Sequence, residues 1–223
     1  MKRAFWIVLG VICAAAILAA VMVTRSANSL PQAETFHLHD VPVQAVDSPG
    51  MLPWRNPKAD MQAFFPGATD YRLQPVAFSG IVAPIQQRLG LKTPLEVYGV
   101  YVYTILRNGA VCGTVSIQQA DGEYGVIEVV VGLDNQSRIV GIRLQRYREP
   151  GTIAKALTSP SWLSSFRGKD ENSAFQIGDD IPSVPKEAMP SAQAVVGTVR
   201  ALVIELAVAR QNGIITTNAP KNH

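Results

Sequence analysis

His37 and His39 are the first residues in the chain whose type and spacing could do chemistry. In an extended segment, side chains two apart share a face and could grip one metal ion. No third ligand stands near them, so the pair reads as part of a solvated loop, and no metal is expected. The third histidine, His223, ends the sequence. Asp179 and Asp180 are adjacent acids, but Gly178 before them and Pro182 after them mark a turn. Arg143, Arg146 and Arg148 could meet a phosphate, yet their place at a strand end reads as a solvated edge. The two cysteines, Cys13 and Cys112, form neither CxxC nor CxxCH, which excludes a zinc ribbon, a thioredoxin-type site and an attached haem. Cys112 is expected as a small core residue. The sequence also lacks GxSxG, HExxH, GxGxxG and a phosphate-cradling GK[ST]. No catalytic residue is expected, and the chain is read as a non-enzyme.

Residues Ala4 to Thr24 contain no charge. As a helix, this run matches the roughly 30 Å of a bilayer's hydrocarbon core. Lys2 and Arg3 precede it, which keeps the N-terminus cytoplasmic and the rest of the chain periplasmic. The expectation is a single-pass protein of an inner (cytoplasmic) bacterial membrane. The rival reading, a cleaved signal, is disfavoured by the length of the run and by Arg25-Ser26-Ala27 after it. Gly10 and Ala14 lie one helical turn apart, as do Ala15 and Ala19, a spacing that admits a second transmembrane helix. Lys2, Arg3 and Arg25 flank the run; without them the chain has 17 basic and 17 acidic residues. This near-neutral remainder has no electrostatic footprint for nucleic acid.

Residues 1–25 are thus read as a transmembrane anchor and 26–58 as an extended arm. The arm holds five prolines and little periodicity. Phe36, Leu52 and Trp54 would be poorly placed in a free linker, so the arm is expected to dock, with Trp54 a partner contact. Residues 59–213 form the soluble domain and 214–223 a tail.

Within the domain, a short helix is expected at Ala59–Phe65, and an irregular one at Val76–Leu89 broken near Pro84. Strands follow at Glu96–Arg107, Ala110–Gln118, Tyr124–Leu133 and Arg138–Arg146. Asn108-Gly109 is a strong hairpin signal, and turns are placed at Asp121-Gly122 and Asp134-Asn135. Ser159-Pro160 caps a short helix over Ser161–Phe166. Pro190 opens a long helix to about Arg210, with one face buried by its three-four apolar spacing. The fold class is α+β: an antiparallel meander sheet packed with helices, preceded by one N-terminal transmembrane helix.

From Tyr98 onward an ordered set of segments resembles the FMN-binding domain of the flavin-carrying subunits of the sodium-pumping quinone reductase and related electron-transport complexes. The segments are Gly109–Gly113, Gly122–Asp134, Ile139–Ile142, Tyr147–Pro150, Phe166–Lys169 and Gly178–Ile181. The resemblance implies a flavin loop before the last helix, where the family carries Ser-Gly-Ala-Thr-x-Ser and joins the threonine hydroxyl to the FMN phosphate. Here the text is Lys186-Glu187-Ala188-Met189-Pro190-Ser191. Met189 takes the threonine position, and a thioether forms no phosphoester. Glu187 puts negative charge near a phosphate. Ser183 and Ser191 carry hydroxyls out of register. Glu149, Lys186, Met189 and Ser191 are the degenerate flavin-loop positions.

The expected function is therefore a non-catalytic accessory or structural subunit of a membrane-bound electron-transfer complex, respiratory or photosynthetic, without covalent flavin. Its partners would be the membrane and other subunits of that complex. A membrane-anchored redox carrier holding FMN non-covalently, and an assembly or binding factor, are the alternatives.

Overall fold

A computed structural model of the chain describes residues 56–91 and 99–215, all within one compact unit. The apolar run at 4–24, including Gly10 and Ala14, lies outside the described residues, as do Cys13, His37, His39, Trp54 and His223.

Five strands form one antiparallel sheet in the order β1-β2-β3-β4-β5. They are β1 (Asp70–Ala77), β2 (Gly99–Arg107), β3 (Ala110–Gly122), β4 (Gly125–Leu133) and β5 (Ile139–Arg146). The α+β class holds, but the meander has one strand more than expected: β1 is built from residues 70–75, for which no element is expected, and from Val76 and Ala77, the first two residues of the segment read as an irregular helix. Its Pro75 is tolerated because β1 is an edge strand, where a missing donor leaves no gap in the ladder. Helix formation begins later, at α2 (Val82–Leu89). Pro84 does not break it: the residue falls in the first turn, where an N–H has no intrahelical partner.

The Asn108-Gly109 hairpin is in place, with φ of 50° and 79°. Asp121 and Gly122 are not a turn: β3 continues through both, pairing Asp121 with Val126 and Gly122 with Gly125. The reversal falls on Glu123 and Tyr124, and Gly125 supplies the positive φ of 134°. Helix α1 (Lys58–Phe64) matches expectation to within one residue. Helix α4 (Pro160–Ser164) starts one residue before and ends two residues short of the expected span, and is capped as expected by the Ser159 side chain accepting from the Trp162 N–H. Helix α3 (Gly151–Leu157) was not foreseen: its first residues, Gly151 and Thr152, are weak helix formers, and Pro150 at its N-cap makes no side-chain cap bond.

Helix α5 (Met189–Gln211) follows a 3₁₀ turn at Lys186–Ala188 and packs along β3. Facing it, β3 presents Thr114, Ser116, Ala120 and Gly122 on alternating positions, small residues that let the helix approach. One buried face was expected; instead every residue from Leu202 to Ala209 is buried. The span 186–211 is the one described helix long and apolar enough to cross a membrane, and it is C-terminal, with 67% of its apolar window buried inside the fold. That burial marks the core helix of a domain. Its C-terminus is fixed to the β4–β5 turn: Arg210 Nη1 donates to the Asp134 carbonyl at 3.0 Å and to Ser137 Oγ at 2.7 Å.

The sheet is buried on both faces. Against α5 lie Ile127, Val129, Val131 and Leu133 of β4, joined by Leu157, Trp162 and Phe166. The last two rings meet edge-on at 5.1 Å. On the opposite face a second cluster gathers Met61 and Phe65 of the α1 segment with Tyr103, Ile105, Val115 and Val130. Burial, with Tyr71 and Glu128 nearby, pushes the Tyr103 phenol up to about 12.

Candidate functional site

The 3₁₀ turn and the first turn of α5 carry three of the four flavin-loop positions. Lys186 is exposed, Met189 is half-buried, and Ser191 is 0% exposed. The fourth, Glu149, stands in the loop between β5 and α3 and is 7% exposed. The fold brings Ser191 and Glu149 to one place, the β3–β4 hairpin. Ser191 Oγ accepts the Glu123 N–H at 2.9 Å, and Glu149 Oε1 accepts the Tyr124 N–H at 3.4 Å. The two amides at the hairpin tip are thus satisfied by the chain itself. Lys186 and Met189 make no hydrogen bond or ion pair with this pair among the described residues.

Gly122 is what admits the Glu149 carboxyl. A Cβ there would overlap Glu149 Oε1 and would stand 2.7 Å from Ile127 Cδ1. The second carboxyl oxygen, Glu149 Oε2, is buried without a hydrogen-bond partner. Two large rings are exposed here: Tyr124, at the hairpin tip, is 53% exposed, and Tyr147, just after β5, is 38% exposed. The Arg148 side chain passes Gly125, its Cδ 3.6 Å from where a Cβ would lie.

Gly122 and Tyr124 are not marked by the sequence as site residues. The available signal was Gly122-x-x-Gly125, which allows a tight hairpin with close backbone approach. Ser191 and Glu123 are 68 positions apart, and no local pattern joins them.

Beside the site, the loop leading to the 3₁₀ turn is tied by Asp180. Its carboxylate accepts from Lys169 Nζ at 2.6 Å, Gln176 N–H at 2.6 Å and Phe175 N–H at 3.1 Å. Burial pushes this carboxyl upward, but the Lys169 and backbone donors outweigh it and hold the group below its ordinary range. Asp179-Asp180 is therefore a loop lock. Of the arginine run, Arg143 pairs with Asp60 at 3.6 Å. Cys112 is half-buried and its Sγ donates to the Ile105 carbonyl at 3.5 Å. Among the described residues, no group of three His, Cys, Asp or Glu could hold a metal ion.

Ser191→Ala removes the acceptor of a buried amide. It is expected to lower stability by roughly 1 kcal/mol and to speed hydrogen exchange at Glu123, in the turn after β3, more than at the amides of β3 itself. Unchanged exchange at Glu123 would show that the bond contributes nothing in solution.

Compared with the models of known families and with curated proteins, the chain matches none.

Proposed function

We propose that this chain is a non-catalytic accessory subunit of a membrane-bound electron-transfer complex, built on an FMN-binding-like domain that carries no covalent flavin. The observation that supports this reading is the chain's own occupation of the hairpin amides. Ser191 is the hydroxyl nearest the degenerate loop, and it is fully buried and engaged with Glu123. A phosphoester at that oxygen would need the hydroxyl at the surface. Met189 offers none. The Glu149 carboxyl already accepts the Tyr124 N–H, a donor that a phosphate at this place would need.

The exposed pair Tyr124 and Tyr147 suits the role of a subunit that binds rather than reacts. Tyrosine supplies large contact area with few rotatable bonds and is enriched at protein interfaces. The test is gentle purification of the tagged full chain from its native membrane. Other membrane proteins should accompany it in fixed stoichiometry. Tyr124→Ala combined with Tyr147→Ala should lose them while the chain itself remains folded. A chain that elutes alone would contradict the reading.

A further inference from the structure

Gly197 stands near the middle of α5 (Met189–Gln211), a place where glycine is the least favourable residue after proline. Nothing inside the fold requires it. Its φ is helical rather than positive, and no atom lies within 4 Å of where a Cβ would stand. Gly197 is exposed. A bare backbone on an exposed helix surface suits the close approach of something outside the chain.

The glycine belongs to a row of residues four apart: Gln193, Gly197, Ala201 and Glu205. Gln193 is exposed and Ala201 half-buried, so the N-terminal half of the row is open among the described residues. The C-terminal half of α5 is covered all round. Ile204 and Val208 are each 1% exposed, α2 packs against α5, and Arg88 Nη2 donates to Gln211 Oε1 at 2.8 Å.

Glu205 ends the row. Helical side chains lean toward the helix N-terminus, so its carboxyl is aimed over Ala201, into the open half. It is 6% exposed and makes no hydrogen bond or ion pair among the described residues. Arg200, the base just before it on α5, is turned about 140° from it around the helix. Beyond the other end of the row, Lys186 is exposed and also has no partner among the described residues. The surface therefore has a basic end and an acidic end, with small residues between them. Turned end for end, it complements itself, as a two-fold interface must.

We propose that α5 pairs antiparallel with α5 of a second copy, about a two-fold axis at Gly197. Gln193 then faces Ala201 of the second copy, and Glu205 faces the second copy's Met189, beside its Lys186. Rows of residues four apart interdigitate at a crossing of about −50°, and the two glycines let the backbones approach. Pairing brings Glu205 a cation that its own chain does not supply. In dilute solution, where the copies are apart, it stays without one. The inference stands independently of the proposed role in an electron-transfer complex.

The test uses the full chain in its native membrane, with Cys13 and Cys112 replaced by serine. One version carries Gln193→Cys and another Ala201→Cys. Expressed together and mildly oxidised, they should form a disulfide-linked dimer. Expressed alone, each should link roughly tenfold less, because like positions stand about 12 Å apart along the axis. Either variant linking mainly to itself, a link to another protein, or no link at all would overturn the proposal. Gly197→Leu separates pairing from folding. Its side chain enters open space in the single chain, so the melting temperature should not fall. Sedimentation of the solubilised chain should show the dimer weakened about a hundredfold. Pairing of unchanged strength would also overturn it.

Discussion

Gly113→Ala is expected to lower the unfolding free energy by about 3 kcal/mol, and trimming Phe65 at the same time should not restore it. A Cβ at Gly113 would overlap both the Phe65 ring and the Leu133 carbonyl oxygen of the neighbouring strand. A ring can move aside; a ladder carbonyl cannot move without breaking its pairing. Gly132 gives the contrasting case. There the obstacles are all side chains: Phe64 Cδ2 at 2.7 Å and Val140 Cγ2 at 3.0 Å. Gly132→Ala should cost about 2 kcal/mol, and Phe64→Ala should recover part of it, so the double variant loses less than the sum of the singles. Denaturant unfolding of the full chain measures all five proteins. If Gly113→Ala behaves like a surface substitution, within about 0.5 kcal/mol, the β3–β4 ladder does not bring the Leu133 carbonyl against Gly113 as described.

Glu205→Gln should stabilise the protein above pH 7 and have little effect at acid pH. Glu205 lies in the all-round buried stretch of α5 at 6% exposure, and burial alone pushes its carboxyl from 4.5 to about 7. Between those values the folded protein keeps a proton that the unfolded chain has lost. The folded state then binds more protons, so stability falls as pH rises through this window and levels off above it. The difference corresponds to roughly 3 kcal/mol. Glutamine removes the ionisation and with it the decline. Melting temperatures of the two proteins across the pH range give the readout: the gap should open between about 4.5 and 7. Parallel curves would mean that Glu205 is solvated or paired in solution. Asp180 acts in the opposite sense and in a separate window. Its lowered pKa means that its contribution is complete above the ordinary carboxylate value and is lost only as pH falls below it.

The sheet was legible where local chemistry dictates it. Asn108-Gly109 needs positive φ at two successive residues and takes it. Nearly continuous apolar text from Tyr124 to Leu133, interrupted by Glu128, becomes a central strand buried on both faces. What failed to read were elements defined by their neighbours. Pro75 argues against a strand until the strand is known to be at an edge, and Pro84 against a helix until the helix is known to begin at Val82. Asp121-Gly122 has turn residues, but the pairing across to Gly125 and Val126 carries the strand through them. The candidate site was legible only as a degenerate segment. Sequence marked Met189 as unable to take a phosphoester. It did not show that Ser191 turns inward to Glu123, since that contact depends on how α5 lies against the hairpin.

The reading of α5 illustrates the same point for energetics. Its three-four spacing through Ala192, Val195, Val199, Leu202 and Leu206 predicts one buried stripe. Past Leu202 the apolar residues wrap the helix, and Glu205 is drawn in with them. A carboxylate among Ile204, Leu206 and Val208 is the local exception to that pattern.

The visible absorption spectrum of the full chain, purified gently from its native membrane, tests the central claim most directly. A flavin-free spectrum, with an intact mass equal to that of the unmodified chain, is the predicted result. A flavin band that stays with the polypeptide after denaturation would show covalent attachment and contradict the account; a band released on denaturation would instead make the chain a carrier of non-covalent FMN.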